Sequence, residues 1–153
     1  MKRTLVSSGN PAEKLLGLSL AVKVGPYVSV GGIAPIGPDG KIVGVDDPAA
    51  QTRRCLEIIQ DTLERAGSRL EDVVRTRVFL TRIEDWETVI QVRAEFFKEI
   101  RPVDTMMQVT QFVNPEWRVE FEADAVISDG RQPEEIGPKE TATRSWRWIM
   151  PFS

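Results

Sequence analysis

The chain contains no histidine, a single cysteine and a single tyrosine among its 153 residues. The missing histidine excludes Ser-His-Asp and Cys-His catalysis, imidazole metal ligation and histidine acid–base chemistry. Cys55, as the lone cysteine, excludes an internal disulfide and any multi-thiolate metal site, a pattern that fits a reducing cytoplasm. Catalysis is left to carboxylates, Arg, Lys, Tyr27, Cys55, hydroxyls, backbone amides or an external cofactor. Long apolar runs are also missing: none approaches the roughly 18 residues that a membrane helix needs. The basic opening of Lys2 and Arg3 leads into Ser7, Ser8, Asn10 and Pro11 instead of an apolar stretch, so a soluble, cytoplasmic protein with no membrane partner is expected. Blocks of basic charge are lacking too, and the formal charge is −3, so nucleic acid is not an expected partner.

What is present describes an ordinary folded domain. With 41% hydrophobic and 28% charged residues, the composition is that of a soluble globular protein. A chain of this length buries roughly 70% of its unfolded surface without help from a metal or disulfide. Leu18 to Val24 and Tyr27 to Ile33, separated by Gly25-Pro26, predict a hairpin. Asp46-Asp47-Pro48 supplies an N-cap and a first-turn proline for a helix whose inner stripe is Cys55, Leu56, Ile59, Thr62, Leu63 and Ala66, with Gly67 as its C-cap. Val73 to Thr81 predicts a strand, about Glu84 to Ile100 a second helix stopped by Pro102, and Thr105 to Phe112 and Arg118 to Ile127 two final strands. This order argues for an α+β fold, a single sheet with two helices packed on one face. The domain spans 1–127. Residues 128–153 form a Pro-, Gly- and charge-rich linker followed by an aromatic tail around Trp146 and Trp148, expected to pack on its own domain or on a neighbouring subunit.

The last strand carries Glu120, Glu122 and Asp124 on one face, with Asp104 a candidate to sit nearby. Carboxylates suit general-base chemistry, in which an attacking water must lose a proton. Such a row could also hold Mg²⁺ or Ca²⁺, but strand alternation produces acidic rows often, and no metal site is assigned. Cys55, on an inner helical stripe, reads as a small core hydrophobe.

The element order, together with Gly31-Gly-Ile-Ala-Pro35, Ala50-Gln51, Leu63-Glu-Arg-Ala-Gly67, Asp72-Val-Val-Arg-Thr-Arg-Val-Phe-Leu80 and Val119-Glu-Phe-Glu-Ala123, resembles the Rid family, also called YjgF/YER057c/UK114, over about Val6 to Ile127. The resemblance implies a chorismate-mutase-like α+β fold assembled as a homotrimer, with small-molecule clefts between subunits. It also implies cofactor-independent hydrolysis of enamines and imines to a keto acid and ammonia.

The family's deaminases look like Pro-Ala-Arg-Ser/Thr where this chain has Pro102-Val-Asp-Thr105, so Asp104 stands at the place of the arginine that holds the substrate carboxylate. By the same comparison Leu18 takes the place of a tyrosine, Gly31 of a serine and Ile90 of an asparagine, while Glu120 matches the family's glutamate. The resemblance therefore implies Glu120 as catalytic base, with Asp104, Gly31, Gly32, Leu18, Ile90 and Met106 bordering the ligand. The Gly31 and Gly32 amides would donate to a ligand oxygen. Asp104 has two readings: selecting a neutral or cationic ligand and repelling a 2-imino acid, or pairing structurally with Arg101 or Arg118. Arg75 and Arg77 share a strand face with Phe79 and are expected toward the trimer axis or the solvent, with pairing to a neighbouring subunit's acidic row as a hypothesis. A non-catalytic ligand-binding or chaperone-like role is the alternative to hydrolysis.

Overall fold

The long helix α2 (Pro48–Arg65) starts and stops for local reasons. Asp47 is extended, and its carboxylate accepts from the Ala49 and Ala50 amides at 3.0 Å each, while Pro48 occupies a position that needs no amide donor. At the far end the Gly67 amide donates to Glu64 O and the Ser68 amide to Leu63 O, a Schellman arrangement that requires the left-handed φ of +74° at Gly67. Between these caps Cys55, Leu56, Ile59 and Leu63 form one fully buried stripe.

The computed structural model describes residues 1–130 and 134–137; the Trp146/Trp148 tail lies outside them. Six strands form one mixed sheet, β1 (Arg3–Val6), β2 (Ala21–Val24), β3 (Tyr27–Ile33), β4 (Val73–Leu80), β5 (Val103–Gln108) and β6 (Val119–Val126), in spatial order β1-β2-β3-β6-β4-β5. All neighbours are antiparallel except β4 and β5, which are parallel and joined by the crossover helix α3 (Trp86–Phe97). Helices α2 and α3 pack on one face, as the sequence predicts. The α+β single-sheet expectation is met, with a short third helix, α1 (Ala12–Leu16), added.

The core lies between the sheet and α2. On β6, Val119, Phe121, Ala123 and Ala125 are buried while Glu120, Glu122 and Asp124 point to the opposite face. The same alternation puts Val78 and Leu80 inside and Arg75, Arg77 and Phe79 outside on β4, where each is in register with one acid of the β6 row. Fully buried Gln51 ties three segments to this core: its amide donates to Gly44 O and Glu116 O and accepts from the Arg118 amide at 2.7 Å.

Strand β1 and helices α1 and α3 differ from the sequence reading. Strand β1 and helix α1 were not anticipated; Leu5 and Leu16 are mostly exposed, so neither segment carries the apolar periodicity that marks a buried element. Helix α3 is shorter than its periodicity suggests, because a 3₁₀ turn at Ile83–Asp85 precedes it and Arg101 adopts a left-handed φ of 56° before Pro102.

Candidate active site

The three acids of β6 share a face but not an environment. Asp124 accepts hydrogen bonds from Tyr27 Oη at 2.9 Å and Ser29 Oγ at 3.0 Å, and Arg77 Nη1 lies 3.1 Å away. The same Arg77 nitrogen reaches Glu122 at 3.4 Å, so this arginine, its side chain 37% exposed, pairs with its own chain's acidic row. Glu120 stands beyond Arg77's reach, in register with Phe79, which has nothing to donate. Among the described residues it has no hydrogen-bond or ion-pair partner. Burial, and secondarily the negative charge of Glu122, pushes its carboxyl above the ordinary glutamate value.

Gly32 explains the space beside it. The β3–β6 register shifts between Val30 and Ile33, and the Gly31–Gly32 bulge brings the backbone close to the carboxylate. A Cβ on Gly32 would come to 3.2 Å from Glu120 Oε2, tighter than ordinary contact. Gly31 plays a different part from the one expected: its amide already donates to Leu20 O at 3.0 Å and so is engaged within the chain. Gly32 also borders an open cavity of about 790 Å³ between α2 and the loops around Asn10 and Pro38.

Asp104 belongs to the other side of the sheet. In the parallel β4–β5 register it is opposite Thr76, a fully buried residue of the helix-covered face. Thr76 Oγ1 donates to Asp104 Oδ1 at 2.5 Å, and Arg93 Nε, from α3, approaches the same oxygen at 3.3 Å. Arg93 also donates to Thr76 Oγ1 through Nε at 3.0 Å and Nη2 at 2.7 Å, and its guanidinium lies 5.1 Å from the Phe97 ring centre. The anticipated partners are engaged elsewhere: Arg101 pairs with Glu135 at 2.9 Å, and Arg118 forms a two-pronged contact with Asp85. Met106 shares Asp104's face and packs partly against the core, Ile90 lies one helical turn before Arg93, and Leu18 is largely exposed just ahead of β2.

The candidate residues thus fall into two groups within one chain. Glu120 and Gly32 meet on the outer face; Asp104 and Met106, with Ile90 on α3, belong to the helix-covered side. Arg93 was not singled out from sequence. The signal was present, since it follows Val89 by four residues and precedes Phe97 by four, on a stripe that is otherwise buried and apolar. Cys55 is fully buried, which pushes its thiol far up and leaves it without nucleophilic character at neutral pH. Among the described residues no group of three or more His, Cys, Asp or Glu could hold a metal ion, and no helix is long and apolar enough to cross a membrane.

Residues 11–127 match the family model described as Endoribonuclease L-PSP. The chain is 40% identical over 101 residues to the 3-aminoacrylate deaminase RutC of Acinetobacter baylyi, covering 66% of this chain and 79% of that protein. Among solved structures, Rv2704 of Mycobacterium tuberculosis, described as a member of the YjgF/YER057c/UK114 family, is 45% identical with a TM-score of 0.74, covering 82% of this chain and all (100%) of that one. E. coli TdcF with bound serine is 27% identical with a TM-score of 0.68, covering 81% and 94%. The chain belongs to the L-PSP family, the YjgF/YER057c/UK114 or Rid proteins.

Proposed function

We propose that this protein is a cofactor-independent, deaminase-like hydrolase acting on a small enamine or imine, with its sites in clefts between the subunits of a homotrimer. The observation that carries the reading is Glu120, a half-buried carboxylate with no partner among the described residues and a raised pKa. A base whose pKa lies nearer neutrality transfers a proton more effectively at physiological pH. Glu120 takes a proton from water as the water oxygen attacks the imine carbon, and the substrate nitrogen becomes protonated. Collapse of the carbinolamine breaks the C–N bond, leaving a C=O group and ammonia; the sum is imine plus water. Gly32 leaves room for the water beside Glu120 Oε2.

The two-sided placement of the candidate residues favours a site shared between copies. A single ligand cannot touch Glu120 on one face and Asp104 on the other within one protomer. In a trimeric ring, one subunit contributes Glu120 and Gly32, and its neighbour contributes Asp104, Met106 and Ile90, with Leu18 at the rim. The RutC relative supports the reaction class. The family description names an endoribonuclease, but a net charge of −3 and the absence of histidine favour C–N hydrolysis over RNA cleavage.

Asp104's neutralisation changes the electrostatic reading of the cleft. Paired with Arg93, it no longer acts as a bare repelling charge toward an acid. A ligand-binding role without turnover is favoured by the apolar Leu18 and Ile90, which supply no polar group for orienting a substrate. Light scattering and ammonia release from freshly generated 2-iminopropionate separate these readings. A trimer that releases ammonia above the spontaneous rate supports hydrolysis. Saturable binding without turnover supports the binding role, and a monomer at working concentration contradicts a shared cleft.

A further inference from the structure

On the helix side of the β5 edge, Arg93 and Asp104 form an ion pair that leaves polar atoms turned to the surface. Thr76 Oγ1 donates to Asp104 Oδ1 at 2.5 Å and accepts from Arg93 Nε and Nη2 at 3.0 and 2.7 Å. These contacts use Oδ1, Nε and Nη2. Asp104 Oδ2 and Arg93 Nη1 have no partner among the described residues. A carboxylate oxygen accepts and a guanidinium nitrogen donates, so the pair retains an accepting oxygen beside the two N–H groups of Nη1.

The pair is held rigidly and faces an edge. Thr76 is fully buried, Phe97 lies against the guanidinium, and among the described residues no strand pairs with the outer edge of β5. The side chain of Asp104 is 21% exposed and that of Arg93 10%, so access comes from the edge strand. The local charge sums to zero. A carboxylate ligand approaching Arg93 meets the Asp104 charge beside it, and an ammonium approaching Asp104 meets Arg93. Each singly charged ligand loses most of its Coulomb attraction. A neutral group with a donor next to an acceptor suffers neither penalty and bonds both atoms in place of water.

We propose that Arg93 and Asp104 together recognise a net-neutral polar group, a primary amide or ureide, with its N–H toward Asp104 Oδ2 and its carbonyl toward Arg93 Nη1. The inference rests on the reading of Asp104 as a ligand-selecting residue and adds Arg93 as its partner in specificity.

Three probes of similar size, propionamide, propionate and ethylammonium, test it by NMR titration of the full chain, following the Arg93 Nε–H resonance. Propionamide is expected to shift that resonance saturably, with a Kd at least about threefold below those of the two ions. In Asp104→Ala the order should reverse, with propionate gaining roughly tenfold as the competing carboxylate disappears. Asp104→Asn, which keeps the shape and an acceptor for Thr76, should move the order the same way by less and guards against misfolding of the alanine variant. Propionate binding the natural chain as tightly as propionamide, an unchanged order in both variants, or no saturable shift from any probe overturns the proposal. The titration reads no turnover, so this order can hold while the imine assay fails, and the reverse.

Discussion

Glu120 and Asp104 are both carboxylates on strands of one sheet, yet the fold gives them opposite fates. Asp104 is engaged: it takes a short hydrogen bond from Thr76 and lies against Arg93. Glu120 has no hydrogen-bond or ion-pair partner among the described residues, is half-buried and in register with Phe79, and has a pKa raised by burial. The difference lies in what the neighbouring strand and helix offer across the register. Strand β4 presents Thr76 to Asp104 and Phe79 to Glu120, and a phenyl ring leaves a carboxylate to water or to a ligand. Acidic character alone therefore says little about a catalytic role; the residue opposite decides whether the charge is spent on structure.

The largest effect on stability expected from breaking this contrast is on the Asp104 side. Arg93→Met should cost about 2–3 kcal/mol in urea unfolding, because it strands Asp104 and the Thr76 hydroxyl without their donor. Adding Asp104→Val to that variant should recover most of the loss, since an apolar pair replaces an ionic one at little net cost. A double variant no more stable than the single would show that Arg93 acts through packing instead of pairing.

Gly32→Ala sharpens the Glu120 side. The added methyl crowds Oε2 without forbidding the backbone conformation, so imine turnover should fall about tenfold while stability changes by less than about 1 kcal/mol.

The smallest effect is thermodynamic. A carboxylate whose folded pKa exceeds its unfolded one binds more protons in the native state, so its contribution to stability falls as pH rises from the ordinary value of 4.5 through the folded value. Glu120→Gln removes this cost. After discounting for partial solvent exposure, Tm at pH 7 should rise by about 1–3 °C, and the gain should vanish below pH 4. An equal gain at pH 4 and pH 7 would mean that Glu120 carries no burial penalty.

Much of this contrast was legible in the chain itself. The Asp47 cap, the Gly67 stop, the alternating β6 and the acidic row depend on local spacing, and each appears where that spacing puts it. The Asp104 environment depended on two facts that spacing does not contain: the parallel register that sets Thr76 opposite it, and the turn of α3 that brings Arg93 across. Strand parity held part of the answer, because Met106 packs toward the core and Asp104, two residues earlier, must share its face. Gly31 shows a similar limit. A glycine pair announces a bulge, but which amide the bulge engages is decided by Leu20, a contact made when β2 pairs with β3.

The pH dependence of kcat/KM for ammonia release from freshly generated 2-iminopropionate, compared between the natural chain and Glu120→Gln, tests most directly whether Glu120 is the base. The account predicts an ascending limb with an apparent pKa above 4.5 in the natural chain. In Glu120→Gln that limb should be absent and turnover at neutral pH about 10²–10⁴-fold lower. A limb that persists with near-natural turnover in the variant would contradict it.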